Sequence, residues 1–407
     1  MRDAELYERL LGLEQPWSVE AVELRLAAGE VHIRVVRASA APLSCPSCGK
    51  VAPGYDQRPR SWRHLDTFQY RTLIHAQVPR VDCPEHGVRQ IAVPWAEANA
   101  RVTALFERLI IDWLAAASLA AVAERLGLSW EQVFTIQRRA VRRGLARRGA
   151  EPVRHLGVDE TSFQRRHEYV TVVNDLAGER VLYVADDRSR ESLEGFFRGL
   201  SPAQLAGIEG LALDMWDPYL AAIRAHVPAA ERKIVFDKFH ILWHLNQAVD
   251  RTRRAEHKRL RAQGDERLTG TKYDWLRHPA GFSHKAWRAF GALRRSSLQV
   301  ARAWALREAF CAIWRYRSPR WAVKFFRAWY FWATHSRLPA LITVARLLKR
   351  RLANILTYLQ LPLTNARSES VNAKIQWLKY NARGYRNRQN FRTAIYFHCG
   401  GLNLYPL

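Results

Sequence analysis

Between Val153 and Phe236 short apolar runs alternate with polar breaks. The runs His155–Asp159, Tyr169–Asn174, Arg180–Ala185, Gly210–Asp214 and Lys233–Phe236 are too short for stable helices and rich in β-branched residues, so they read as strands. Helical patterns follow Ser189 and Pro218. The order β-β-β-α-β-α-β predicts a mixed sheet with helices on its faces. Upstream, residues 1–40 read as an N-terminal arm, a short helix followed by the strand Val31–Val36. Residues 41–97 are turn-rich with short alternating strands, and residues 98–150 are helical and end in an Arg-rich run. After His240 the chain is helical for more than a hundred residues. A last helix over Ser368–Asn381 is expected to stop at Gly384, where glycine suits a left-handed cap.

Two short knuckles interrupt the turn-rich stretch. Cys45-Pro46-Ser47-Cys48-Gly49 offers two thiolates three residues apart, and Cys83-Pro84-Glu85-His86-Gly87 repeats the format with imidazole last. Zinc accepts thiolate and imidazole in one tetrahedral site. The segment from Arg60 to Val81 reads as a hairpin bringing the knuckles together, and a closed Cys3His set predicts a structural Zn2+.

The helical stretch contains a helix-turn-helix pattern. Ser118–Leu126 carries Ala, Val and Leu on one face, Gly127 makes the turn, and Ser129 with Gln132 forms a capping box for a second helix. That helix carries Arg138, Arg139, Arg142 and Arg143, so its start could enter a major groove while the arginines meet phosphates.

Charge changes the picture most. The 407 residues hold 64 Lys and Arg against 38 Asp and Glu, a formal net charge of +26. A polyanion partner neutralises such self-repulsion, and double-stranded DNA is the expected one. Hydrophobic content of 48% suits a globular chain. The most apolar stretches, around residues 105–126 and 325–333, are interrupted by charges, so no membrane span is expected, and the start of the chain has no signal-peptide pattern.

Asp159 and Asp214 each end a strand run. If the two strands are parallel neighbours, both carboxylates meet at one sheet edge, where like charges require a cation. Hard divalent ions such as Mg2+ or Mn2+ take oxygen ligands and suit phosphoryl transfer. Glu369, the last acidic residue of the chain, is the expected third ligand. Seven residues from Arg367 to Arg392 are Lys or Arg, and Arg383, Arg386 and Arg388 among them are expected DNA contacts. Glu160 and Asp217 rank lower because they are expected to lie beyond the strand ends.

Taken together, these motifs resemble insertion-sequence transposases of the ISL3 family over nearly the whole chain. The likeness rests on the Cys-Pro-x-Cys-Gly knuckle, the helix-turn-helix, Gly157–Glu160, Leu213–Trp216 with Pro218-Tyr219, Phe236–His240, Asn365–Lys374 and Gly384–Asn387. The resemblance implies a ribonuclease H-like α/β core at 151–245, interrupted by an all-α insertion at 246–360 and completed by 361–407 with Glu369. A zinc ribbon at 41–97 and a helix-turn-helix domain at 98–150 precede it. It implies Asp159, Asp214 and Glu369 as the acidic triad, with Asp237 and His240 as supporting residues. His86 departs from the cysteine of many relatives, a change zinc tolerates. The separation of 155 between Asp214 and Glu369 is accounted for by the insertion, which holds 25 Lys and Arg against 6 Asp and Glu. Trp304, Trp314 and Trp321 within it are expected in its core. The implied function is DNA transposition at the terminal inverted repeats, by a homodimer in the bacterial cytoplasm at the nucleoid. A metal-dependent nuclease or resolvase, or a non-catalytic DNA-binding regulator, is the alternative. No Arg/His/Tyr set compels a tyrosine or serine recombinase, although Tyr385 lies between Arg383 and Arg386.

Overall fold

The computed structural model describes residues 3–149, 151–164 and 168–406. The first two residues and the expected domain boundary at 150 lie outside that set. The chain forms two compact units, Met1–Gly149 with Leu402–Leu407, and Ala150–Gly401.

The first unit begins with α1 (Asp3–Leu11), β1 (Trp17–Arg25) and β2 (Glu30–Arg37). Then come β3 (Gly54–Arg63), β4 (Arg71–Cys83) and β5 (Gly87–Gln90), followed by α2 (Ala104–Ala116), α3 (Leu119–Leu126) and α4 (Trp130–Arg147). One sheet runs β1-β2-β4-β3, with β5 also on β4. β2 lies parallel to β4, with Ile33 opposite Ile74. Through β1 and β2 the described part of the expected arm at 1–40 joins the sheet that carries the knuckles. The cause is alternation: Val31, Ile33 and Val35 share a buried face with Ile74, Ala76 and Val78. Trp95 closes that core edge-on to Trp17 and Trp62, at centroid distances of 5.0 and 5.3 Å. The end of the chain returns here, where the Tyr405 hydroxyl donates to Asp112 at 2.6 Å. Residues 402–406 thus depart from the 361–407 segment expected for the other unit.

The second unit opens with β6 (His155–Gln164), β7 (Glu168–Asp175), β8 (Arg180–Ala185), α5 (Arg190–Arg198), α6 (Pro202–Gly207) and β9 (Gly210–Leu213). It continues through α7 (Asp217–His226), α8 (Ala230–Lys233), β10 (Ile234–Phe236) and α9 (Lys238–Arg261). The sheet order is β10-β9-β6-β7-β8. β6, β7 and β8 form an antiparallel meander, while β9 and β10 run parallel to β6. β6 extends to Gln164, five residues past the expected end at Asp159, because the hairpin with β7 pairs it as far as Gln164↔Glu168.

A helical layer follows: α10 (Lys272–Leu276), α11 (His284–Arg294), α12 (Gln299–Cys311), α13 (Pro319–Thr334), α14 (Pro339–Arg350) and α15 (Leu352–Gln360). The boundary expected between 245 and 246 falls inside α9, which continues unbroken from the sheet into this layer. Trp304 is buried and Trp314 is partly buried against the same core, as expected. Trp321 is instead 60% exposed near the start of α13. Two helices close the unit, α16 (Ala366–Asn381) and α17 (Arg388–Cys399), the latter not anticipated. Leu156, Val158, Leu211 and Leu213 pack on the α5–α7 side of the sheet. Val170, Val172, Val181 and Val184 pack on the other side, against Val371, Ile375, Leu378, Phe391 and Ile395 of α16 and α17. Side-chain alternation then turns Gly157, Asp159 and Thr161 toward α16.

Candidate functional site

The register of the parallel strands brings three aspartates into a row. Val158 pairs with Leu213, and Leu213 with Phe236. The next residue on each strand is Asp159, Asp214 and Asp237. Asp159, inside β6, thus sits beside the carboxyl ends of the parallel β9 and β10, the side on which open α/β sheets bind ligands. Asp237 starts α9 as its N-cap, accepting from the Phe239 N–H at 3.3 Å. This capping turn places His240 so that its Nε2 lies 2.7 Å from Asp214 Oδ1. The approach is poorly aligned for a hydrogen bond, and Asp214 Oδ1 stays buried without an aligned donor.

The electrostatics follow from crowding. Burial, then the Asp214 charge, pushes the Asp159 carboxyl up to about 7, against the Glu160 N–H and the His240 charge. Burial also raises Asp237. Burial alone would lower His240, but Asp214 outweighs it and raises the imidazole. Asp159 and Asp237 therefore resist ionisation when no cation is present, and a buried carboxylate oxygen without an aligned donor is the kind of atom a hard cation satisfies.

α16 docks on β6 through a polar ladder. The Asn372 amide donates to Asp159 Oδ2 at 2.7 Å, Gln376 donates to Thr161 at 2.6 Å, and the Lys379 ammonium donates to the Ser162 carbonyl at 2.8 Å. Ser368 and Asn365 lie over Gly157, where a Cβ would come 2.2 Å from Ser368 Oγ, 2.8 Å from Leu176 and 3.1 Å from Asn365 Oδ1. Glycine at 157 is thus required by the close approach of the helix. Gly157→Ala is expected to lower stability by about 1–3 kcal/mol through this overpacking, read from the urea midpoint. An unchanged midpoint would contradict the contact.

Glu369 lies in the first turn of α16, exposed, and makes no ion pair with another described residue. It is an i,i+3 neighbour of Asn372 on the helix surface. Asp159, Asp214 and Glu369 do not form a closed set of ligand atoms here: the Cys/His centre is the one group of three or more His, Cys, Asp or Glu found within 4.8 Å among the described residues. Glu160 lies inside β6, not beyond its end, and so faces the opposite side of the sheet from Asp159. There it pairs with Arg188 at 2.9 Å. The Arg188 guanidinium sits 4.1 Å from the Trp216 ring centroid, and the Trp216 indole N–H donates to the Arg188 carbonyl. Asp217 is in the first turn of α7 and pairs with Arg351. The sequence reading missed Arg188 and Asn372. The i, i+4, i+8 polar stripe of Ser368, Asn372 and Gln376 was the available signal for Asn372.

The metal centre of the first unit matches expectation. Cys45, Cys48, Cys83 and His86 bring their ligand atoms within 4.8 Å of one another. Cys48 and Cys83 sulfurs are 3.8 Å apart, and His86 Nδ1 lies 3.6 Å from Cys83 and 3.9 Å from Cys45. A tetrahedral zinc with bonds of about 2.3 Å to sulfur requires S···S distances of about 3.8 Å. Burial would raise the Cys45 thiol, but N–H groups of Ser47 and Cys48 and the neighbouring thiols bring it to about 6, toward the thiolate that binds metal.

The helix-turn-helix is formed by α3 and α4. Gly127 ends α3 in the left-handed region at φ 62°, and Ser129 with Gln132 makes a complete capping box for α4. The arginine row divides. Arg138 and Arg142 are exposed. Arg139 and Arg143 pair with Glu107, and Arg143 also with Glu97 and the Leu404 carbonyl. These two arginines hold the unit together and are withdrawn from the expected DNA contacts. Likewise Arg388 pairs with Glu168 at 3.1 Å, while Arg383 and Arg386 are exposed.

A zinc ribbon, a helix-turn-helix and a mixed sheet with aspartates at its parallel edge define a DNA-binding transposase. Comparison with known proteins agrees along the chain. A transposase domain model of the ISL3 type matches residues 156–395, a model described as the zinc-finger of transposase IS204/IS1001/IS1096/IS1165 matches 41–86, and the helix-turn-helix domain of transposase family ISL3 matches 91–141. The protein belongs to the ISL3 family of transposases. It is 29% identical over 400 residues to the transposase for insertion sequence element IS1001 of Bordetella parapertussis, covering 97% of this chain and 98% of that one. It is also 29% identical over 421 residues to the transposase for IS1557 of Mycobacterium tuberculosis, covering 96% and 94%. Among the described residues no helix is long and apolar enough to cross a membrane.

Proposed function

We propose that this DNA transposase cleaves and joins DNA strands at the terminal inverted repeats of its insertion sequence, at a site built from Asp159, Asp214 and Glu369. The observation that carries the reading is that the Val158↔Leu213 register sets Asp159 and Asp214 side by side, where burial and the Asp214 charge raise the Asp159 carboxyl. Two magnesium or manganese ions held by the three carboxylates would stabilise the attacking and leaving oxygens of a phosphodiester. His240 steadies Asp214, Asp237 caps the helix that carries His240, and Glu369, exposed on the helix that touches Asp159, completes the set as DNA engages. The sheet order, a three-stranded antiparallel meander with two parallel strands beside its first, is that of a ribonuclease H-like core and supports the assignment. The exposed Arg138 and Arg142 suit phosphate contacts from the helix-turn-helix, and Arg383 and Arg386 suit them from the loop after α16. Two element ends require two active sites, so the working form is a homodimer acting on the bacterial nucleoid.

Joining separates a transposase from a nuclease or resolvase. With precut element ends and Mg2+, the wild-type protein is expected to insert the 3′ ends into target DNA, read as joined products on a sequencing gel. Cleavage without any joined product would favour the nuclease reading instead.

A further inference from the structure

We propose that Asn372 is a positioning residue for the catalytic carboxylate Asp159, setting which of its lone pairs remain free for a divalent cation. The inference rests on the reading that Asp159 holds metal.

The placement follows from a match of periods. Each two residues of β6 advance about 6.6 Å, and each four residues of α16 advance about 6.0 Å. Helix and strand therefore stay in step for several rungs: Ser368 over Gly157, Asn372 on Asp159, Gln376 on Thr161. The rung at Asp159 differs in chemistry from its neighbours. Asp159 Oδ1 accepts the Glu160 N–H at 2.8 Å, and Oδ2 accepts the Asn372 amide at 2.7 Å. Each oxygen keeps a further lone pair. Two donors of fixed origin, one from the backbone and one from a docked helix, prevent rotation of the carboxylate about its Cβ–Cγ bond.

The residue type fits this task. A Lys or Arg at 372 would neutralise Asp159 and compete with a cation for it, whereas the neutral amide donates without doing so. The amide orientation is fixed as well, because the reverse would set Asn372 Oδ1 against a carboxylate oxygen. In the observed orientation Asn372 Oδ1 is buried and without a donor. Leaving that acceptor unsatisfied has a cost, so the contact is not explained as optimal packing alone. Gln376 provides an internal comparison, since it ties the same helix to the same strand and touches Thr161 rather than a carboxylate.

The test is direct binding of Mn2+ alone to the full-length protein, followed by electron paramagnetic resonance of the free ion. Asn372→Leu keeps the size and removes the donor, while Asn372→Ser stays polar but falls short of Asp159. Both are expected to weaken Mn2+ binding by about 10–100-fold, the usual effect of removing a group that orients a metal ligand. Gln376→Leu is expected to lower the urea midpoint while leaving Mn2+ affinity within about twofold. Wild-type affinity in either Asn372 variant would overturn the proposal. So would an equal loss in Gln376→Leu, which would assign the effect to helix docking in general. Absence of Mn2+ binding by the wild type, both alone and with transposon-end DNA, would overturn the metal reading itself, and the role of Asn372 with it.

Discussion

Asp159→Asn is expected to abolish DNA cleavage and strand transfer, by about 10³-fold or more, while leaving binding to transposon ends unchanged. The change is isosteric, keeps an oxygen for one of the two donors, the Glu160 N–H or the Asn372 amide, and removes the charge that a cation needs. A second consequence is less intuitive. The folded-state pKa of Asp159 is raised to about 7 from an ordinary value of 3.8. Its stability contribution is therefore full below about pH 4 and is lost as pH rises through 7. At pH 8 without divalent ions, the ionised carboxylate works against the fold, and the variant is expected to be the more stable protein, by roughly 1–4 kcal/mol. The advantage should vanish near pH 4 and shrink when Mg2+ is added to the wild type. Urea denaturation at the two pH values, with and without Mg2+, measures this. A variant that still cuts DNA would refute the role of Asp159, and a variant less stable than wild type at pH 8 would refute the crowding.

Removing zinc is expected to have the other large effect. The four ligands come from two separate knuckles, Cys45 with Cys48 before β3 and Cys83 with His86 at the turn from β4 to β5. Without an ion, weak thiol contacts, the exposed Lys50–Glu85 ion pair and the adjoining start of the β3–β4 ladder are what join them, and structural zinc contributes on the order of 10 kcal/mol in isolated zinc-binding peptides. Cys83→Ser is expected to leave the purified protein with little bound zinc and to lower the melting temperature of the first unit by about 10 °C or more. Cys311→Ser should keep full zinc, because Cys311 lies in α12, outside the Cys3His set. Zinc content by a metallochromic dye and melting by circular dichroism test this, and a full zinc equivalent in Cys83→Ser would contradict the ligand assignment.

Much of the site was legible in the sequence because its signals are local. The apolar runs ending at Asp159 and Asp214 mark buried parallel strands, and the ladder Val158↔Leu213 makes them neighbours. The knuckles, Gly127 and the Ser129 box also act within a few residues of themselves. What was not legible depends on distant partners. β1 and β2 join the ribbon sheet through a parallel β2–β4 pairing that no short pattern encodes. Arg139 and Arg143 look like phosphate contacts until Glu97 and Glu107, more than thirty residues away, take them up. β6 was drawn too short because its outer half depends on the hairpin with β7. α17 was missed because Gly384 suggested a final stop, although Asn387 caps a new helix three residues later. Trp321 was expected in the core because helical tryptophans usually pack there, whereas its place near the start of α13 faces it outward.

The most direct test of the carboxylate assignment is metal-directed backbone cleavage. Fe2+ replaces Mg2+ in the DNA-bound protein, and ascorbate with peroxide then generates hydroxyl radicals that cut the chain next to the ion. The expected result is cuts close to residues 159, 214 and 369, all three lost in Asp159→Asn. Cuts near 159 and 214 with none near 369 would remove Glu369 from the site and contradict the triad.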